Sequence, residues 1–279
     1  MIEARQITVK KGDTVILQDV SLKLPAGKIV VIIGKNGAGK TTLLEAMTGS
    51  SPVLEGSVLL DKIPIPILKQ KVLARRRAVL SQNIHVGFPL SVYQMIEMGT
   101  YSARNPLPHD QMNHLVYRAL EAVDMLGFEE RNFSTLSGGE QKRIMLAKCL
   151  AQLNCSQGRG KSQFLFLDEP SASLDVSQQY KLLDLIRRLV REQQIGVLAV
   201  IHDINLAAQF GDELVLMKDG HIYQTGSPQE ILTPVLLKEV LDIQASVHQH
   251  PIFPCPHIVI LPESSHSTPH SPTLPISTS

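Results

Sequence analysis

The sequence predicts an α/β fold: a largely parallel sheet with crossover helices, an antiparallel β portion at the N-terminus, and a helical insertion at about residues 89–136. Three observations carry this. Continuously apolar runs at Ile29 to Ile33, Phe164 to Leu167 and Val197 to Ile201 read as strands buried on both faces. Between the last two, Leu182, Leu183, Ile186, Leu189 and Val190 stripe one face of a helix. Strand, helix, strand in that order implies a parallel crossover. From Asp110 to Leu126, Val116, Ala119, Leu120 and Val123 recur at helical spacing.

At the N-terminus, Ile7 to Val9 and Val15 to Leu17 flank the turn signal Lys11-Gly12-Asp13, and Val20 to Leu24 alternates apolar and polar. After Ile29 to Ile33 come a glycine-rich loop and a helical stretch from Lys40 to Thr48. Ser227-Pro228-Gln229-Glu230 reads as a capping box with proline at the first helical position. These elements place one domain over residues 1–262. Residues 263–279 are rich in Ser, Pro, His and Thr and bury too little apolar surface to offset their ordering entropy, so a flexible tail is expected.

A chain of 279 residues suits one large α/β domain, and its net charge of +1 implies no nucleic-acid partner. The three cysteines, Cys149, Cys155 and Cys255, show no paired spacing and read as reduced thiols. Met1 to Lys11 lacks an apolar signal-peptide core. No apolar run approaches the roughly 18–20 residues of a membrane span. Any membrane role is therefore expected to run through a partner.

Gly34-Lys35-Asn36-Gly37-Ala38-Gly39-Lys40-Thr41 matches the P-loop pattern GxxxxGK[ST], placed between a predicted strand and a predicted helix. Glycines let the backbone curl so that N–H groups point at a phosphate chain, and the next helix adds its positive end. Lys40 supplies a charge to the β and γ phosphates, and the Thr41 hydroxyl is placed to ligate Mg²⁺; Thr42 continues the cradle. Alone, the pattern leaves nucleotide kinases, GTPases, helicases and motor proteins open.

The run Phe164 to Leu167 ends in Asp168 and Glu169. Neighbouring strand residues point to opposite sides, so Asp168 can hold Mg²⁺ while Glu169 polarises an attacking water as general base. The same pair also reads as an acidic turn before Pro170.

Leu136-Ser137-Gly138-Gly139-Glu140-Gln141 opens a helix expected over Glu140 to Ala151. In isolation it is a capped helix, with Ser137 as cap and Glu140 completing the box. Beside the P-loop it is a second anion-binding helix start, and it resembles the signature motif of ATP-binding-cassette ATPases. The resemblance covers about residues 2–262. It implies a P-loop core of cassette type that binds ATP and Mg²⁺ and hydrolyses ATP to ADP and phosphate. It implies a head-to-tail homodimer in which Ser137, Gly138 and Gly139 of one chain contact ATP held by the P-loop of the other. Gln82 resembles the glutamine that reaches Mg²⁺ and the attacking water. Asp175, in Ala172-Ser173-Leu174-Asp175, resembles part of a loop crossing the dimer interface, and His202 resembles the histidine that contacts the γ phosphate. Partners implied are two transmembrane permease subunits and a substrate-binding protein acting through them, with the chain peripheral on the cytoplasmic face of the plasma (inner) membrane.

Three departures stand out. Lys10 and Lys11 occupy the region where many cassettes carry an adenine-stacking aromatic, Lys35 stands where proline is common, and Ser171 replaces the usual threonine. Within the family, Leu90 to Gly99, the polar connection Asn154 to Gln163, and the ending from Val247 to Pro262 resemble haem-importer ATPases, beside siderophore and cobalamin importers. His248, His250, His257, His266 and His270 invite a haem or metal reading; a polar turn followed by a tail is the simpler one. Arg75-Arg76-Arg77 reads as a solvated edge rather than a lipid-binding patch. Two rivals are a soluble cassette that remodels ribosomes or DNA, disfavoured by the single motif set, and an ATP-responsive regulator without turnover, disfavoured by Glu169.

Overall fold

The computed structural model describes residues 1–81, 87, 89–103, 107–155, 162–172 and 174–262. The chain opens as a long hairpin, β1 (Ile2–Lys11) and β2 (Thr14–Leu24), joined by the expected turn. The segments Val15 to Leu17 and Val20 to Leu24 are one strand, not two. Asp19 adopts φ 50, and the pairing shifts register on either side of it, so a bulge bends the strand without ending it. β3 (Ile29–Gly34) leads through the glycine-rich loop into α1 (Lys40–Thr48). β4 (Glu55–Leu60) and β5 (Ile63–Pro64) complete an antiparallel sheet of order β2-β1-β4-β5.

After α2 (Gln70–Ala74) and β6 (Arg77–Leu80) the chain turns helical: α3 (Val92–Glu97), α4 (His109–Ala122) and α5 (Gly138–Asn154). α4 ends earlier than the apolar spacing suggested, because Asp124 takes φ 57 just beyond it. Leu90 and Val92 hydrogen-bond Phe133 and Arg131 through the backbone, so the start and end of this helical segment are tied together. Arg75 and Arg76 are half-buried, not a solvated edge: Arg75 Nε donates to the Ser102 carbonyl and Arg76 Nε to that of Ser162. Those carbonyls need donors, and the guanidiniums supply them.

β7 (Phe164–Asp168), α6 (Val176–Gln193) and β8 (Gly196–Val200) form the expected crossover, with β7 and β8 parallel neighbours. α7 (Ile204–Phe210), β9 (Glu213–Lys218), β10 (His221–Gly226) and α8 (Pro228–Ile231) follow. Ser227 and Glu230 cap α8 reciprocally, as the sequence predicted. α9 (Pro234–Leu236) leads to a closing hairpin, β11 (Ala245–Gln249) and β12 (Pro256–Ile260). The main sheet has order β10-β9-β3-β8-β7-β6, parallel except for β10. Val31, Ile33, Leu165 and Leu167 face one core with α5 and α6; Val30, Ile32, Phe164 and Phe166 face another with α1 and the antiparallel sheet. This two-sided burial is why these strands are apolar without interruption.

Candidate active site

Parallel order places the C-terminal ends of β3, β8 and β7 side by side, where ligands of open α/β sheets bind. The glycine-rich loop follows β3, His202 follows β8, and Asp168 ends β7.

Loop geometry follows from its glycines. Gly39 caps α1 at φ 95, and a Cβ there would sit 2.7 Å from Leu17 Cδ2, so both conformation and space require glycine. A Cβ on Gly34 would lie 2.6 Å from the Met217 carbonyl oxygen. Lys35, Asn36 and Gly37 are exposed at the loop's tip, whereas Ala38, Lys40 and Thr42 are buried. Lys40 Nζ donates to the carbonyls of Gly34 (2.8 Å) and Lys35 (2.9 Å), arching back over the loop it follows. Burial pushes the Lys40 ammonium below the usual lysine range, and the charges of Glu169 and Asp168 oppose that shift.

Thr41 Oγ1 donates to Asp168 Oδ1 across 3.2 Å, joining α1 to the end of β7. Burial pushes the Asp168 carboxyl above its usual range; the Thr41 hydrogen bond pulls it back, and Glu169 and Glu45 add to the rise. A hydroxyl and a desolvated carboxylate converging on one point form a hard-oxygen donor set, so these residues fit Mg²⁺. Glu169 takes φ 49, a conformation that a non-glycine residue holds only under tertiary constraint. Its Oε1 lies 2.5 Å from His202 Nε2.

The signature segment sits apart from the loop. Ser137 caps α5: its Oγ donates to Glu140 Oε2 (2.7 Å), and its N–H donates to the same oxygen (2.8 Å). The capping reading and the anion-site reading coexist, because Ser137 and Gly138 are exposed and no atom would crowd a Cβ on Gly138. Gly139 packs on α6, where a Cβ would meet Gln178 Oε1 at 3.0 Å. Asp175 is exposed and caps α6, accepting from the Gln178 N–H at 2.8 Å. Gln82 and Ser173 lie outside the described residues.

Other expectations change in detail. Lys11 Nζ pairs with Glu45 on α1 at 3.0 Å, so the place of the missing aromatic carries an ion pair. Lys35 Nζ lies 3.8 Å from Asp242 Oδ2, which draws part of its charge away from the loop. His248 and His257 are opposed in register on β11 and β12, and His250 Nδ1 accepts from the Ile252 and Phe253 N–H groups. They shape a hairpin; among the described residues no three His, Cys, Asp or Glu side chains converge on a metal position. His266 and His270 lie outside the described residues. One buried charge escaped the sequence reading: Lys142, on the inward face of α5. Its signal was a lysine four residues before Leu146, on an otherwise apolar stripe.

Residues 17–172 match the family described as ABC transporter. The chain belongs to the ABC transporter family. This ABC protein is an ATP-binding, ATP-hydrolysing cassette. It is 39% identical over 260 residues to the hemin import ATP-binding protein HmuV of Hahella chejuensis, covering 93% of this chain and 100% of that one. It is 40% identical to the protein of the same name from Bordetella pertussis, over 91% and 96% of the two chains. Among solved structures, the cassette resembles cbiO1 of Clostridium perfringens, part of the ABC transporter complex cbiONQ, with TM-score 0.74 and 25% identity over 85% and 92% of the chains. It also resembles the dimeric cassette MJ0796, with TM-score 0.69 and 25% identity over 81% and 98%. No helix among the described residues is long and apolar enough to cross a membrane.

Proposed function

We propose that this ATPase drives a haem importer, working as a head-to-tail homodimer on two permease subunits that receive haem from a substrate-binding protein. The observation that carries the substrate is the 38–40% identity to hemin import ATP-binding proteins, each aligned over at least 91% of this chain. The chain would then sit peripherally on the cytoplasmic face of the plasma membrane, held by the permeases.

In this mechanism the backbone of Gly34 to Thr41 and the Lys40 ammonium bind the β and γ phosphates. Lys40 already points back over the loop, so reaching a phosphate needs only an exchange of carbonyl for phosphate oxygen. Thr41, Asp168 and Gln82 would hold Mg²⁺, which when bound neutralises charge developing on the phosphate oxygens. Glu169 accepts the proton of the attacking water, and His202, within hydrogen-bond distance of its carboxylate, orients it and contacts the γ phosphate. Ser137, Gly138 and Gly139 of the second subunit complete each site, a reading supported by the exposure of Ser137 and Gly138. ATP closes the dimer, hydrolysis reopens it, and the permeases convert that cycle to alternating access.

The test is reconstitution of the chain with its permease pair in liposomes, with the binding protein present. Haem should stimulate ATP hydrolysis and accumulate in an ATP-dependent manner. Stimulation by a ferric siderophore or by cobalamin, with none by haem, would reassign the substrate.

A further inference from the structure

Lys35, at the exposed tip of the phosphate loop, is tied to a turn near the other end of the chain. Its Nζ lies 3.8 Å from Asp242 Oδ2, while Asp242 Oδ1 accepts from Lys238 Nζ at 2.8 Å. Asp242 ends the π-helical turn Leu237–Leu241 at φ 60, a left-handed conformation for which glycine is the low-cost residue. The position instead carries a carboxylate set between two lysines. Its place is fixed: Leu237 and Val240 are buried, and Lys218 Nζ donates to the Glu239 carbonyl at 3.0 Å. A cleft of about 230 Å³ lies between the loop tip, Lys35 to Ala38, and Val240, so Lys35 has room to turn away from Asp242. The Lys35 carbonyl accepts from Lys40 Nζ at 2.9 Å, which puts the backbone of Lys35 one hydrogen bond from the ammonium assigned to the phosphates. Charges that close act on one another within the roughly 10 Å screening length of 0.1 M salt.

We propose that Asp242 and a bound triphosphate compete for the Lys35 ammonium, so that the C-terminal turn sets how tightly the phosphate loop holds ATP. The inference rests on the phosphate role proposed above for that loop. Asp242 neutralises part of the Lys35 charge here. A triphosphate presents more negative charge than one carboxylate and draws Lys35 across the cleft. Binding then breaks the pair, and by linkage the turn opposes binding by as much as the pair is worth. Both side chains are more than half exposed, 54% and 60%, so the effect is a few-fold change rather than decades.

The test is titration of the full-length chain with a fluorescent ATP analogue, comparing Asp242→Asn, Asp242→Gly, Lys35→Met and the double variant Lys35→Met with Asp242→Asn. Asparagine and glycine both accept the left-handed backbone of Asp242, so these variants keep the turn. At low salt Asp242→Asn and Asp242→Gly should each tighten nucleotide binding about two- to fivefold, the range of an exposed pair, and high salt should erase the gain. Lys35→Met should weaken binding by a similar factor. Adding Asp242→Asn to Lys35→Met should then change nothing further, because the carboxylate acts through Lys35. Unchanged affinity in both Asp242 variants would overturn the inference. So would an equal gain in the Lys35→Met background, which marks direct repulsion of nucleotide by Asp242. Lys40→Ala is titrated alongside: undiminished affinity there would remove the phosphate role of the loop itself, whatever Lys35 and Asp242 do.

Discussion

His202 Nε2 stands 2.5 Å from Glu169 Oε1, joining residues 33 apart in sequence at the ends of neighbouring parallel strands. The contact fixes one carboxylate oxygen of the residue proposed as general base. Glu169→Gln should therefore keep ATP binding and lose roughly 10²–10⁴-fold in turnover, the range a positioned base contributes. With turnover blocked, light scattering should detect a stable ATP-bound dimer. His202→Ala should reduce kcat by a smaller factor. Phosphate release at the unaltered rate in Glu169→Gln would remove it from the base role.

Lys40 is the side-chain cation that the phosphate loop itself fixes, bonded to the Gly34 and Lys35 carbonyls. Lys40→Ala should abolish productive ATP binding, read by titration with a fluorescent nucleotide. Affinity within a fewfold of the unaltered chain would count decisively against its phosphate role.

The proposed composite sites make a sharper prediction. A Lys40→Ala subunit and a Ser137→Arg subunit each form homodimers with both sites broken. Mixed together, they form a dimer in which one site carries both lesions and the other carries neither. ATP-dependent association of the mixed pair, with recovered hydrolysis, is the expected result. A monomer turning over ATP at the full rate would refute the shared-site mechanism.

Asp175 caps α6, and substitution separates that role from the one proposed for it at the dimer interface. As cap of α6, its loss in Asp175→Ala should cost about 0.5–2 kcal/mol of stability, seen as a lowered melting temperature. Asp175→Asn keeps a good cap without the charge. If Asp175 also works across the dimer interface, Asp175→Asn should melt normally yet weaken ATP-dependent dimerisation. Normal dimerisation in that variant would confine Asp175 to capping.

Much of the architecture was legible because local chemistry dictates it. Strands with both faces buried must be apolar throughout, and β3, β7 and β8 read so directly. The capping boxes at Ser137 and Ser227 are sequence-local and were visible. Less legible were β4, β9 and the closing hairpin, whose pairing depends on partners far along the chain. Arg76 looked like surface charge until Ser162 and Asp61 were brought beside it.

By itself, the sequence determined the family: a glycine-rich P-loop, acids at a strand end, and a second glycine-rich helix start, in the order of the ABC family. Only tertiary structure decided which groups meet. Thr41 reaches Asp168 across 127 residues, and His202 reaches Glu169 across 33. The reason is physical. Sheet order runs β3-β8-β7, not in chain sequence, and it is set by collective burial of both faces, which no local propensity encodes.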